Sequence, residues 1–155
     1  IIDEYYSKYS GIKIWHSSLI NRALKTGDWQ SPTGRYYKYP SIDVANRFWF
    51  WRPKILNYPV QGLGADLVML ARIAFWNMLK SLNLGEFVKP CSSVHDSIVV
   101  DVDNSKELCY TIGVLLKDCV EFVPSNFKEV FKKEFPLPLT AEIKQGMNLG
   151  TMEKL

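Results

Sequence analysis

Two β-prone runs, Ser92-Ser93-Val94 and Ile98-Val99-Val100-Asp101-Val102, meet at His95-Asp96-Ser97, and this arrangement constrains the fold more than any other stretch. Valine and isoleucine suit a pleated, half-buried surface, whereas His, Asp and Ser carry side chains that bond locally and interrupt it. The stretch reads as a β-hairpin with a lone carboxylate, Asp96, at its bend. A sheet can hold such a carboxylate as a metal ligand. The plainer alternative is a turn aspartate that bonds its own backbone.

The neighbouring patterns are helical. From Ile2 to Thr26 the apolar residues recur three and four apart (Tyr5, Tyr9, Ile12, then Trp15, Leu19, Ala23), with Ser10-Gly11 as the expected break between two helices and Gly27 as the closing residue. Asp28 to Pro40 alternates aromatic and polar residues about Ser31-Pro32-Thr33-Gly34, which predicts a second hairpin. From Pro59 to about Leu82 the residues Val60, Leu63, Leu67, Leu70, Ala74, Met78 and Leu82 keep to one helical face, with the proline in the first turn. Asn104 or Ser105 can cap a further helix whose Leu108, Ile112, Leu115 and Cys119 share a side and should pack across the sheet. The alternating Pro138-Leu139-Thr140-Ala141-Glu142-Ile143-Lys144 predicts a last strand, followed by the glycine-punctuated stretch to Gly150. Helices against mostly antiparallel strands make an α+β domain.

Composition narrows the class. The 155 residues, 47% of them hydrophobic, suffice for one core, and 19 basic against 16 acidic residues leave a net charge of only +3. That is too little to announce nucleic-acid binding by bulk charge, and any such surface must be local. Cys91, Cys109 and Cys119 are odd in number and lack CxxC spacing, so three free thiols, mostly buried, are expected in a reducing compartment. No apolar run approaches the roughly 20 residues of a membrane span, and the first residues show no basic-then-apolar signal pattern, so a cytoplasmic protein without a membrane partner is expected. The chain starts at Ile1 directly in a helical pattern, which suggests a piece of something longer.

Asn57 and Gln61 are four apart, so both amides lie on one side of a helix, where they can reach the minor groove of a duplex. Acceptors there are nearly degenerate among base pairs, so amides check pairing without demanding a base. Gly62 and Gly64 each weaken a helix by about 1 kcal/mol, and close approach of sheet or nucleic acid to the backbone would compensate. Arg47, Arg52 and Lys54 interleave with Phe48, Trp49, Phe50 and Trp51, a pattern that can grip phosphates or form a buried aromatic knot. His16 has no motif about it and reads as a surface or structural histidine.

The Asn57-Tyr58-Pro59-Val60-Gln61-Gly62-Leu63-Gly64-Ala65-Asp66-Leu67 string and Val94-His95-Asp96-Ser97 together resemble family A DNA polymerases, the class of bacterial polymerase I and many phage replicases. The resemblance covers almost the whole chain and suggests a phage-type member acting in a bacterial or phage-infected cytoplasm. It implies the end of the fingers in residues 1–56, a helical and hairpin remnant, and the C-terminal half of the palm in residues 57–155. Catalytic places fall to Asp96 and His95, with Asp96 the metal ligand. Two magnesium ions roughly 3.5 to 4 Å apart would be shared with a second carboxylate outside this sequence. Asn57, Gln61, Arg35 and one of Arg52 or Lys54 would contact primer-template DNA, with deoxynucleoside triphosphates as substrate. The missing N-terminal portion, in the same polypeptide or another, would be the obligate partner. Two departures stand out: Ser97 replaces the family's usual glutamate, and Pro53 occupies the place of an arginine four residues before Asn57.

Two other readings remain at this point. A single-subunit RNA polymerase of the phage type also carries His-Asp-Ser, although the Asn57 to Asp66 string looks like the DNA enzyme. A palm fragment that binds nucleic acid without chemistry is the non-enzyme alternative. An HD-type phosphohydrolase fails on ligand count, because only His16 and His95 are available.

Overall fold

The computed structural model describes residues 2–39, 47–103 and 105–155, and for residues 47–51 the backbone alone. Helix α1 (Ile2–Lys8) and helix α2 (Ser10–Thr26) part at Tyr9, whose φ of −120° and ψ of 60° leave the helical region. The break therefore precedes Ser10-Gly11, which form the first turn of α2, where no intrahelical N–H partner is lost. Gly27 ends α2 as expected: at φ 70° it is left-handed, and its N–H donates to the Ala23 carbonyl at 2.8 Å. Strands β1 (Asp28–Gln30) and β2 (Tyr36–Lys38) then pair antiparallel, with Trp29 opposite Tyr37.

Helix α3 (Arg47–Ser81) runs well beyond the predicted start, and Pro59 lies in its interior rather than its first turn. Interior prolines such as Pro53 and Pro59 each lose a backbone hydrogen bond and disfavour a helix by about 3 kcal/mol. Packing offsets this, because Ile55 between them is 1% exposed and joins Leu19, Ala23 and Tyr39 in one core. The apolar stripe also differs from the expected one. Ala71, Phe75 and Leu79 are buried, with Ala74 and Met78 packed beside them, whereas Val60 and Leu82 are 55% and 49% exposed. By length and composition Arg52–Ser81 could cross a bilayer, which corrects the expectation that no segment approaches a span. Within it Phe75 and Leu79 pack into a core with Val88 and Ile112.

The chain divides into two compact units, Ile1–Leu63 and Gly64–Leu155, with the division inside α3. In the second unit β3 (Val88–Val94) and β4 (Ser97–Val102) form the predicted hairpin, with Val88 opposite Val102 and Val94 opposite Ser97. The register shifts between Pro90 and Ser92, so Cys91 is the extra residue of a bulge beside a proline that cannot donate to the ladder. Helix α4 (Lys106–Glu121) starts at Ser105, whose hydroxyl accepts from the Leu108 N–H at 3.4 Å; Asn104, the other candidate cap, lies outside the described residues. Its Leu108, Ile112, Leu115 and Cys119 join Phe75, Leu79, Val88, Val100 and Val102, so the helix covers the hairpin as predicted.

Helix α5 (Val123–Phe131) follows almost without a break and stacks Phe127 on Phe131 and Phe135. The predicted strand over 138–144 is not formed. Only β5 (Lys144–Gln145) pairs, with β6 (Glu153–Lys154). Pro136 and Pro138 offer no donor to a ladder, and Ile143 instead packs on Gly113 of α4. Lys154 and Lys144 flank the Glu142 carboxylate at 3.0 and 3.5 Å across the β5–β6 pair. All described sheets are antiparallel two-stranded pairs. The architecture is α+β, as expected. Of the three thiols, only Cys119 is buried, and Cys91 is exposed at its bulge, which corrects the expectation of mostly buried cysteines.

The two versions of the stripe make opposite demands. Phe75→Ala opens a cavity under the hairpin and should lower stability by about 3–5 kcal/mol, whereas Leu82→Ala should cost less than about 1 kcal/mol. Urea unfolding of the two variants beside the parent decides which stripe is the core.

Candidate active-site hairpin and nucleic-acid face

The β3–β4 turn consists of His95 and Asp96 alone. His95 is left-handed at φ 54° while Asp96 is not, the sign pattern of a II′ turn, whose first position ordinarily takes glycine. Histidine tolerates this region better than a branched residue. Strain of this kind persists where surrounding structure over-determines it. Serines supply that structure: the Ser97 hydroxyl donates to the Val94 carbonyl at 2.8 Å, and the Ser93 hydroxyl donates to the Ser97 carbonyl at 3.1 Å. Among the described residues, then, the turn is bonded by serines and not by the Asp96 side chain. The plainer reading of Asp96 as a turn-former loses its ground, and Ser97 acquires a structural task.

His95, Asp96 and Ser97 are all exposed. Below them the face that carries Ile98, Val100 and Val102 turns inward. Ile98 and Pro90 meet Met69, Ile73 and Trp76 of α3 around a groove of about 330 Å³, and Val100 and Val102 enter the core. The hairpin thus offers Asp96 at a tip whose base is fixed. Asp101 and Asp103 are exposed further along. Among the described residues no three His, Cys, Asp or Glu side chains converge on one metal position. The donor that Asp96 contributes is a carboxylate, the ligand type hard divalent cations take, and it is one of the several that two ions would require.

The first unit carries the polar face. Asn57 and Gln61 are exposed and four apart on α3, which brings both amides to one side. At about 100° per residue, Lys54 lies on that same side, and Arg52 lies about 180° from Gln61. Lys54 is half-buried and Arg52 exposed. Arg52 faces another neighbour: together with burial, which acts more strongly, its charge lowers the His16 pKa below the usual 6.5. His16 itself is structural, with Nδ1 3.1 Å from the Tyr6 hydroxyl and its ring against Tyr6 and Trp15. Arg47 and the rings of Phe48, Trp49, Phe50 and Trp51 lie outside the described side chains.

Arg35 is exposed and is held by its backbone. Buried Ser31 donates its N–H to the Arg35 carbonyl at 2.9 Å and accepts the Arg35 N–H on its hydroxyl at 3.1 Å, while the Gly34 N–H reaches the Ser31 carbonyl at 3.0 Å. Sequence reasoning missed how this hairpin meets α3. A Cβ at Gly62 would coincide with the Tyr37 hydroxyl, so that glycine is required by a phenol of the hairpin, whereas a Cβ at Gly64 would meet nothing within 4 Å. Tyr37 stacks between Trp29 and Tyr58, with centroids at 5.7 and 6.3 Å. Neighbouring Tyr39 is buried, and burial, then Tyr37 and Tyr58, push its hydroxyl up to about 12. The alternation of aromatics over Trp29 to Tyr39 was the available signal.

A family model, DNA polymerase family A, matches residues 1–151. The chain belongs to DNA polymerase family A. Similar to this family-A chain are DNA polymerase I of Lactococcus lactis, 32% identical over 123 residues, and that of Mycobacterium leprae, 27% identical over 147 residues. These alignments cover 77% and 94% of the chain but only 14% of either relative. Among solved structures, the POL domain of Pol1 from M. smegmatis, in complex with DNA primer-template and dNTP, superimposes with a TM-score of 0.69 over 79% of the chain and 21% of that domain. At 22% identity this establishes a shared fold. The family match and the relatives disfavour the RNA polymerase alternative. These relatives are bacterial, and the phage-type expectation rests on the sequence resemblance alone.

His16 generates a pH prediction for this unit. Its folded pKa lies below its unfolded value, so the unfolded chain binds more protons and stability rises with pH. The contribution is fully present above about 6.5 and is lost progressively as pH falls from there toward the lowered folded value. Unfolding midpoints at pH 7.5 and pH 5.5 should differ less in His16→Phe than in the parent; an unchanged difference would mean that another group titrates.

Proposed function

We propose that this chain is the C-terminal part of a DNA-directed DNA polymerase, with residues 1–56 closing the fingers and residues 57–155 forming the second half of the palm, and that it serves DNA replication. The observation that carries the proposal is the Asp96 carboxylate at the tip of a hairpin whose turn is bonded by serines, in a chain of family A. In this reading Asp96 and a second carboxylate from the rest of the polymerase would hold magnesium, which would supply charge neutralisation at the reacting phosphate. His95 sets the turn geometry that points Asp96 outward. Asn57 and Gln61 lie against the minor groove of the primer-template duplex and sense pairing through its acceptors. Arg35 binds template phosphate from its rigid turn. Of the two cations beside the departed arginine, Lys54 shares the amide face and is the phosphate contact, and Arg52 belongs to the His16 side.

Because the chain spans a small part of its relatives' length, these roles are exercised in the intact polymerase. There Asp96→Asn should abolish primer extension while leaving duplex affinity within a few fold, since it removes a metal ligand and little phosphate contact. Extension with magnesium near the parental rate would sink the metal assignment.

The two cations are separable by salt. A phosphate contact contributes about 0.9 to the slope of log affinity against log salt on a duplex. Lys54→Ala should flatten that slope by about one contact, and Arg52→Ala should leave it unchanged. Fluorescence titrations of a labelled primer-template across a salt series test this, and the opposite pattern would transfer the role to Arg52.

A further inference from the structure

Gly62 follows Gln61 directly, and Tyr37 lies two residues after Arg35. These two positions are where the hairpin and the helix touch. A Cβ on Gly62 would overlap the Tyr37 hydroxyl and come within 2.8 Å of the ring carbon that bears it. The ring has little freedom to yield, because Trp29 lies on it at 5.7 Å and Tyr58, from the α3 turn that precedes Gly62, at 6.3 Å. Tyr39, next along the hairpin, is 1% exposed among Leu19, Ala23 and Ile55, and its N–H donates to the Gly27 carbonyl at 2.7 Å. At the other end, the buried Ser31 fixes the turn that presents Arg35. The hairpin is thus rigid at its turn, anchored at Tyr39, and seated on the helix through one phenol.

We infer that Tyr37 is a positioning residue: seated on Gly62, it fixes the Arg35 turn relative to the Asn57 and Gln61 amides, so that one duplex meets both. This rests on the proposed nucleic-acid role of those residues. It explains why α3 carries a glycine at a point where its backbone has no turn to make. It also assigns the aromatic hairpin a task beyond filling the core, since the Tyr37 ring sets a distance between two polar surfaces. Side chains that are not themselves in contact then act as a unit, and their effects on binding become non-additive.

The test uses the intact polymerase with single and double substitutions, and reads primer-template affinity as a function of salt together with thermal midpoints. Arg35→Ala and Gln61→Ala should each weaken binding, Arg35→Ala with a flatter salt dependence. Tyr37→Ala should weaken binding by about tenfold, and in that background Arg35→Ala should add less than about twofold, because the turn no longer meets the phosphate when the amides are engaged. Gly62→Ala should be as damaging as Tyr37→Ala in the parent but much milder in Tyr37→Phe, where the overlapping oxygen is gone. Tyr37→Phe alone keeps the ring on Trp29 and Tyr58 and should stay within about twofold of the parent. That rescue separates positioning from stability, and it remains readable if Tyr37→Ala does not fold. A full Arg35→Ala effect in the Tyr37→Ala background, or equal harm from Gly62→Ala with Tyr and with Phe at position 37, overturns the inference. Parental binding by both Arg35→Ala and Gln61→Ala would instead overturn the nucleic-acid reading on which it rests.

Discussion

The second unit depends on burial of one face of a two-stranded hairpin. A hairpin alone is marginal in water, and β3–β4 has only its own ladder and the apolar contact it makes below. Val88, Val100 and Val102 supply that contact against Phe75 and Leu79 of α3 and Ile112 and Cys119 of α4. A one-residue slip would reverse the faces, so burial also fixes the register that leaves His95 and Asp96 as the two-residue turn. The exposed carboxylate is consequently placed by hydrophobic residues several positions away, and the serine hydrogen bonds at Val94 and Ser97 complete the arrangement locally.

Helix α3 shows how packing can override propensity. Two prolines and two glycines would end most isolated helices, yet Ile55 is buried between the prolines and Gly62 admits Tyr37. Each interrupting residue therefore has to be read with its neighbour in space. That is why the start of α3 was misplaced from sequence: Pro59 carries a first-turn signal, and nothing local reveals that Ile55 is already held by Leu19 and Tyr39.

What was legible follows the same division. The two hairpins, the Gly27 stop and the Ser105 cap are set by residues adjacent in sequence, and they were readable there. The strand expected over 138–144 failed because alternation alone ignores the missing donors of Pro136 and Pro138, and because Ile143 found Gly113 instead. The stripe of α3 was shifted because leucines at helical spacing do not reveal which of several apolar faces meets the hairpin. Asp96 could be singled out from type and setting, and so could the pairing of Asn57 with Gln61. The Tyr37 contact could not, since both partners look unremarkable until the hairpin is folded onto the helix.

Under the proposed function the catalytic centre is completed by the rest of the polymerase, and this has a physical consequence. One carboxylate binds a strongly hydrated dication only weakly, and affinity rises when a second is held at fixed distance, because the second contact becomes intramolecular. Under the proposed function, Asp96 on its serine-bonded turn provides a fixed distance from one side only. Metal affinity is then a property of the assembled palm, and a loose hairpin would forfeit it as surely as a missing carboxylate. Ser97 takes on meaning in this light. In place of the glutamate that the family resemblance implies, this chain has a hydroxyl that bonds Val94, which under the proposed function would exchange a third negative charge near the metal site for a stiffer turn. Removal of a like charge would ease the approach of the two proposed carboxylates to one another, and stiffness would preserve the spacing on which their joint affinity for a cation depends.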